Sequence, residues 1–503
     1  MSLAIVYSRA RLGIDAPLVT VEVHLSGGLS AFNIVGLPEA SVKESRDRVR
    51  SAVINSNFIW PNERITVNLA PADLPKEGGR FDLPIAIGII AAIGNIDQRA
   101  LEGYELCGEL ALSGEIRSII GEIPTAYACH QSNRICILPK ENAAHAILIK
   151  GASIIGSEHL LHVYHHILGQ QPLPFEQLQQ IEQGYACDVD LQDVVGQPMA
   201  KRALEIAASG AHNLLFSGPA GTGKSMLAQR LTTILPIMTD EEALESAAIY
   251  SVCGRHIDAK TWKNRPFRTP HHTASGVALV GGGSNPRPGE ISLSHNGVLF
   301  LDELPEFDRK VLDVLREPLE TGTVTISRAS RQAEFPARFQ LIAAMNPSPT
   351  GDVKDGRATP DQVLRYLNRL SGPFLDRIDI QLDVPRLPKG ALTQNPERGE
   401  SSEVVRQRVA YSRGVQMQRA GKPNALLSGR EVDHYCPLSA EDALFLENAI
   451  EKLKLSTRAY HKILKVSRTI ADIGNELNIN RQHISEALGY RAMDRLVQRL
   501  KSM

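Results

Sequence analysis

Several things are scarce in this chain, and each shortage excludes a class of protein. Its six cysteines (Cys107, Cys129, Cys136, Cys187, Cys253 and Cys436) lie far apart, with no C-x-x-C pair. That argues against a disulfide framework or a four-cysteine zinc site and suits a reducing cytosol. The formal net charge is only −1. No chain-wide field therefore attracts nucleic acid or membrane, and any such contact must come from local patches. Long apolar runs are missing: the longest, Leu83 to Gly94, is too short for a bilayer and reads as a buried helix. The first ten residues lack the charged-then-apolar layout of a signal peptide. There are no internal repeats and no low-complexity segments. These absences predict a cytoplasmic protein with no membrane partner. At 503 residues, two to four domains are expected, each able to bury its own core.

What is present centres on Gly218-Pro219-Ala220-Gly221-Thr222-Gly223-Lys224-Ser225, which fits G-x-x-x-x-G-K-[ST]. The preceding Asn213 to Ser217 reads as a short buried strand, and Met226 to Leu235 as a helix stopped by Pro236. Glycines let backbone N–H groups turn inward around a phosphate, and the helix N-terminus adds partial positive charge. Lys224 is placed to reach the β- and γ-phosphates of ATP, and Ser225 to hold Mg²⁺. A second element, Gly297 to Glu303, runs four apolar residues into paired acids, as a buried parallel strand does when it delivers carboxylates at its C-terminal end. Asp302 would assist Mg²⁺ and Glu303 would polarise the attacking water. A third apolar run, Phe339 to Met345, ends at Asn346, a polar strand tip able to hydrogen-bond that water or the γ-phosphate.

Residues 1–168 read as a mixed α/β region. Thr20 to Leu25 and Ile65 to Leu69 alternate like strands. A charged helix is expected from Glu39 to about Asn55, and Pro71 to Asp82 is a Pro/Gly loop before the apolar helix. Pro75-Lys-Glu-Gly78, Gly108-Glu-Leu110, Gly114-Glu-Ile116 and Ile137 to Asn142 resemble the Lon-protease-like, S5-type fold. Where the Lon nucleophile and its lysine would stand, this chain has Arg80 and Ile123. A Ser–Lys dyad needs a hydroxyl and a neutral amine in hydrogen-bond reach, so a non-catalytic domain is expected. Residues 169–190 read as a linker with a short helix. An ATPase core occupies 191–387, then come a hinge loop at 388–402 and helices over 403–503, with Ser439 and Asn480 as N-caps.

The order of these motifs resembles the AAA+ P-loop NTPases. Asn346 occupies a place similar to sensor 1. Arg377, in Ser371 to Asp379, resembles the arginine finger supplied to a neighbour's γ-phosphate; a local pair with Asp376 or Asp379 is the plainer alternative. Arg458 resembles the sensor-2 arginine of a C-terminal helical lid. Two inserts narrow the resemblance. One, between Met238 and His295, is long enough to build a loop or hairpin of its own; its adjacent His271 and His272 are poorly spaced for a metal. The other, Thr321 to Pro336, resembles the pre-sensor-1 hairpin, whose Arg328 and Arg331 could pair with phosphates or simply be solvated.

The block Ala344 to Thr350 and Arg365 to Arg377 is the most specific, and with the rest of the chain it resembles the YifB/ComM family of magnesium-chelatase-like AAA+ ATPases. Many relatives carry a cysteine cluster between those segments; Gly351 to Asp361 has none, so no metal is expected there. The resemblance implies a homo-oligomeric, hexameric ring that uses ATP and Mg²⁺. It further implies binding to single-stranded and branched DNA, and branch migration during natural transformation and homologous recombination, with recombination proteins as partners. A chelatase-type motor that remodels a metal-inserting enzyme is the alternative. An ATP-dependent protease is disfavoured by Arg80 and Ile123.

Overall fold

A computed structural model describes residues 3–36, 39, 42, 44–177, 189–255, 257–283, 286–328, 331–353, 356–391 and 399–501, with backbone only at 328, 331 and 501. Contacts group the chain into two compact units. One comprises Met1–Gly184, Asp240–Trp262 and Ala329–Phe335; the other comprises Tyr185–Thr239, Lys263–Arg328 and Pro336–Met503. Among the described residues no helix is long and apolar enough to cross a membrane.

The first unit is built on a seven-stranded mixed sheet, in the order Ala31–Val35, Arg64–Ala70, Leu18–Ser26, Leu3–Arg9, Tyr104–Leu106, Ile135–Pro139, Ile154–Ser157. Leu3–Arg9, Leu18–Ser26 and Arg64–Ala70 pair antiparallel; the flanking strands pair parallel. Alternation decides which face is buried: Val19, Val21, Val23 and Leu25 point inward together. The Asp82–Ala92 helix is buried on every side, as its apolar composition all round requires. The charged helix is described as Ser45–Asn55; most of its expected first turn lies outside the described residues, as does most of the short helix expected in the linker.

The insert after Met238 holds a short antiparallel pairing, Gly281–Gly282 with Arg287–Pro288, as expected of it, and in addition a helix that the sequence did not suggest. Its first part is a helix, Asp240–Val252, and by contacts it belongs to the first unit. The reason is a buried junction with the Glu122–Gln131 helix. Ser251 donates through Oγ to Glu122 Oε2 at 2.8 Å, the Ile123 amide donates to Ser251 Oγ at 3.3 Å, and Gly121 N–H donates to Ser251 O at 3.2 Å. Ile123, Ala247 and Ala248 close an apolar cluster beside it. Arg80 is also buried, donating to the carbonyls of Arg9 (3.2 Å) and Ile120 (2.7 Å).

The second unit holds a five-stranded parallel sheet, in the order Phe267–Arg268, Val298–Leu301, Gln340–Met345, Leu214–Ser217, Ile380–Asp383. Its central strands are wholly buried, which is why they read as unbroken apolar runs rather than alternating ones. Pro198–Gly210 and Lys224–Ile234 pack against it. The C-terminal part is helical: Ser402–Ala420, Gly429–Tyr435, Ala440–Lys452, Thr457–Ile473, Arg481–Gly489 and Ala492–Lys501. The second and last of these lie outside the stretches that read as helices in the sequence, Glu403 to Arg419, Ser439 to Leu453, Arg458 to Glu476 and Arg481 to Gly489. Ser439 and Asn480 do cap their helices, accepting from Asp442 N–H and from Gln482 and His483 N–H. The carbonyl of the buried Tyr490 accepts the Gln381 N–H at 2.8 Å, so the helical part docks on the edge strand Ile380–Asp383. Thr323–Arg328 is a further strand of this unit, and Arg331–Pro336 is also a strand.

Candidate functional site

Parallel strands deliver all their C-terminal ends to one side of a sheet, and loops collect there. In register, Ser217 lies opposite Met345 and Leu301 opposite Ala343. The next residues along the chain, Gly218, Asn346 and Asp302, therefore emerge together. Gly218 allows the first turn: a Cβ there would stand 2.3 Å from the Val384 carbonyl oxygen. Gly221 and Gly223 take φ of +78° and +87°, the left-handed region that side chains resist. Gly223 then opens the 11-residue Lys224–Ile234 helix with no side-chain cap, so its first N–H groups remain for an anion.

Lys224 is 9% exposed. Its Nζ donates to the carbonyls of Gly218 (2.7 Å) and Pro219 (2.9 Å) and to Asn346 Oδ1 (3.2 Å). Burial lowers its pKa, opposed by the charges of Asp302 and Glu303. Thr222 Oγ1 donates to Pro219 O at 3.1 Å and tightens the loop. Ser225 donates through Oγ to Asp302 Oδ2 at 2.5 Å. A hydroxyl and a carboxylate in contact beside a lysine and free helix N–H groups fit a triphosphate with its Mg²⁺: hard oxygen ligands for the cation, donors for the phosphates.

Glu303 comes next with φ +52°, unusual for a residue with a side chain, and its amide donates to Asp302 Oδ1 at 2.9 Å. Its carboxylate lies 3.3 Å from His272 Nδ1. Sequence spacing bears on His271 and His272 only as metal ligands. Here their rings lie 4.1 Å apart, and among the described residues no group of three or more His, Cys, Asp or Glu is placed to hold a metal. The signal for His272 was topological: Phe267–Arg268 is parallel to Val298–Leu301, so the segments leaving the C-terminal ends of these two strands must meet.

The two other arginines stand apart from Lys224 in their contacts. Arg377 donates through Nη1 to Pro373 O at 2.6 Å and ion-pairs through Nη2 with Glu320, while its Nε is buried without a partner. The alternative of a pair with Asp376 or Asp379 is thus corrected to Glu320, a partner 57 positions away that local sequence could not reveal. Asp376 instead approaches Arg458, at 3.6 Å, and Arg458 is 66% exposed at its side chain. Arg328 ends the strand Thr323–Arg328 and Arg331 opens the strand Arg331–Pro336; their side chains lie outside the described residues.

A parallel sheet with a glycine loop, a lysine, a serine–aspartate contact and a polar neighbour strand tip defines a P-loop nucleotide-binding class. The chain belongs to the magnesium-chelatase-like AAA+ family. It matches the family models "Magnesium chelatase, subunit ChlI" over residues 190–392, "Subunit ChlI of Mg-chelatase" over 21–142, and "Magnesium chelatase, subunit ChlI C-terminal" over 399–491. Among its relatives, the Competence protein ComM of Haemophilus influenzae is 57% identical over the full length of both chains. The YifB protein of Salmonella typhimurium is 53% identical, again over both full lengths. The Magnesium-chelatase 38 kDa subunit of Cereibacter sphaeroides is 25% identical across 47% of this chain and 69% of that one.

Proposed function

We propose that this protein is an ATP-driven DNA translocase that works as a hexameric ring and promotes branch migration when transforming DNA is integrated by homologous recombination. The observation that carries the motor part is the meeting of Lys224, Ser225, Asp302 and Asn346 at one sheet edge. The DNA part is supported by full-length similarity to a protein named for competence. Gly218 to Ser225 would hold the phosphates, and Ser225 and Asp302 would hold Mg²⁺, which would supply charge neutralisation there. Lys224 leaves its two carbonyls to meet the β- and γ-phosphates. Glu303 accepts a proton from the attacking water, and Asn346 orients that water or the γ-phosphate. Arg377 leaves Glu320 to reach a neighbour's γ-phosphate, and Arg458 reaches the nucleotide from the helical lid.

The domain plan 1–168, 169–190, 191–387, 388–402 and 403–503 is part of this proposal, with the first domain Lon-like, S5-type and non-catalytic. Burial of Arg80 against two carbonyls and of Ile123 in an apolar cluster supports the absence of a peptidase centre. Arg328 and Arg331 contact the DNA backbone from the Thr321 to Pro336 insert. A second reading, a chelatase-type motor acting on a metal-inserting enzyme, is favoured by the family models' own descriptions.

ATP-dependent strand exchange on labelled branched DNA separates the two. Wild type should exchange strands and Lys224→Ala should not. Arg328→Ala/Arg331→Ala should retain basal hydrolysis but bind DNA more weakly, with a flatter salt dependence. A wild type that neither binds branched DNA nor hydrolyses faster with it sinks the translocase reading. Mixing Arg377→Ala with Lys224→Ala subunits should recover some hydrolysis; no recovery would argue against a shared site.

A further inference from the structure

The segment around Arg377 is held from two sides inside the second unit. From the sheet, Asn213 Nδ2 donates to the Arg377 carbonyl at 2.9 Å, and the amides of Asp379 and Ile380 both donate to the Asn213 carbonyl at 3.0 Å. From the helical part, Lys462 Nζ donates to the Ile378 carbonyl at 3.0 Å and lies 3.5 Å from the Asp379 carboxylate. We infer that Lys462 is a positioning residue for Arg377: it pins the backbone just after that arginine to the Thr457–Ile473 helix and so sets where the guanidinium can reach. The inference rests on reading Arg377 as the arginine that completes a neighbouring subunit's site.

The side-chain contacts of Arg377 cannot aim it at a neighbour. Nη1 bonds to the Pro373 carbonyl four residues back, and Nη2 pairs with the exposed Glu320, which it must leave to reach another subunit. Once Glu320 is released, the backbone alone decides where the side chain starts. Lys462 is suited to fixing that backbone. Its side chain is 14% exposed and that of Asp379 11%, so water competes little for their contact. Lys462 also lies one turn after Arg458, and residues four apart share a helix face. Arg458 approaches Asp376 only to 3.6 Å and is exposed, so that contact is weak and readily given up. One helix face thus touches the chain before Arg377 loosely and the chain after it tightly. When Arg458 turns to a nucleotide, Lys462 still ties the same helix to the Arg377 backbone.

The test is steady-state ATP hydrolysis by the full chain as wild type, Lys462→Met and Lys462→Met/Asp379→Asn, with Lys224→Ala and Arg377→Ala as mixing partners. The single variant leaves Asp379 buried with one cation fewer and can fail to fold. The double variant removes both charges at similar volume, and an amide oxygen at position 379 can still accept the Asn213 N–H, so it should fold by circular dichroism. It should lose about 10-fold in kcat with KM within about twofold, because a misplaced group costs rate rather than binding. Mixed with Lys224→Ala, whose Arg377 is intact, it should regain hydrolysis above the mean of the two separate preparations. Mixed with Arg377→Ala it should not, since neither chain then supplies a well-placed arginine. An unchanged kcat in the folded double variant overturns the inference. Recovery with Arg377→Ala does so too, by assigning Lys462 to its own subunit's nucleotide site. Failure to recover with Lys224→Ala, where Arg377→Ala does recover, leaves Lys462 a structural role only and also overturns it. If Arg377→Ala and Lys224→Ala do not complement each other, the shared site itself falls, and the role of Lys462 with it.

Discussion

Two glycine loops with a lysine, one in each unit, reach opposite chemistry. In Pro75 to Phe81, Lys76 is fully buried and donates to the Pro71 carbonyl, and Arg80 donates to two further carbonyls. Burial lowers the pKa of both. In Gly218 to Ser225, Lys224 also rests on two carbonyls, and burial lowers its pKa too. What differs is the company. The second loop ends at the N-terminus of an 11-residue helix and stands beside Asp302 and Asn346 from two neighbouring strands. A lysine among glycines becomes a phosphate site only when parallel strands bring an acid and free N–H groups to it; otherwise it stitches a loop together.

The comparison is broken most directly by exchanging losses. Lys224→Ala should reduce ATP hydrolysis by about 100-fold or more, since it removes a preorganised charge at the phosphates. Lys76→Met should leave hydrolysis within about twofold, because an apolar group of similar volume replaces a buried cation. Loss of hydrolysis in Lys76→Met with the fold intact by circular dichroism would show the first loop to be more than a stitch. Next in size, Glu303→Gln should slow hydrolysis by about 100-fold while nucleotide binding measured by fluorescence persists. Equal loss of binding and turnover would mean that Glu303 serves the fold or the ligand rather than the chemical step.

The contrast between the loops was only half legible in the sequence. Gly218 to Ser225, Val298 to Glu303 and Gln340 to Asn346 announced themselves because a fully buried parallel strand is an unbroken apolar run with its chemistry at one end. Arg80 and Ile123 were legible as departures from a dyad. What escaped were partners set by tertiary structure: Glu320 for Arg377, 57 positions away, and His272 for Glu303. The Asp240–Val252 helix escaped because its apolar residues, Ala243, Leu244, Ala247, Ala248, Ile249 and Val252, are spread round the helix, so no periodic stripe marks it. The helix Gly429–Tyr435 is short and carries a weak signal of its own, whereas in Ala492–Lys501 Met493, Leu496, Val497 and Leu500 recur at i, i+3, i+4 and i+7, a helical stripe that the sequence does show.

A smaller effect should come from Asp379, which lies in the segment with Arg377 but does not meet it. Asp379 accepts the Asn213 N–H at 3.1 Å, and Lys462 Nζ and His212 Nδ1 lie 3.5 and 3.6 Å away. Burial alone would raise its pKa, but Lys462 and His212 more than offset this and hold it well below the usual carboxylate range. A depressed folded-state pKa stabilises the folded state above the unfolded value, about 4, and that contribution disappears as pH falls through the folded value. Asp379→Asn should therefore cost about 2 kcal/mol at pH 7, with the gap from wild type narrowing below about pH 4. Urea titrations at both pH values check this. A gap that is constant with pH would assign the loss to geometry rather than charge.

The smallest effect tests whether polar groups of the first unit stabilise it without serving the motor. Ser251 donates to the buried Glu122 carboxylate and accepts the Ile123 N–H. Ser251→Ala removes both contacts, leaving His145 Nδ1 at 3.4 Å as a remaining neighbour of Glu122. The cost should be about 1 kcal/mol, the usual net worth of a hydrogen bond whose buried partner keeps other company. Hydrogen exchange should localise it. Amides of Glu122–Gln131 and Asp240–Val252 should lose protection together, because the two helices share one junction. Those of Lys224–Ile234 should not change, and neither should hydrolysis. If Lys224–Ile234 loosens as well, the insert helix is energetically part of the motor, and the division into a stitched unit and a reactive one no longer holds at Thr239 and Lys263.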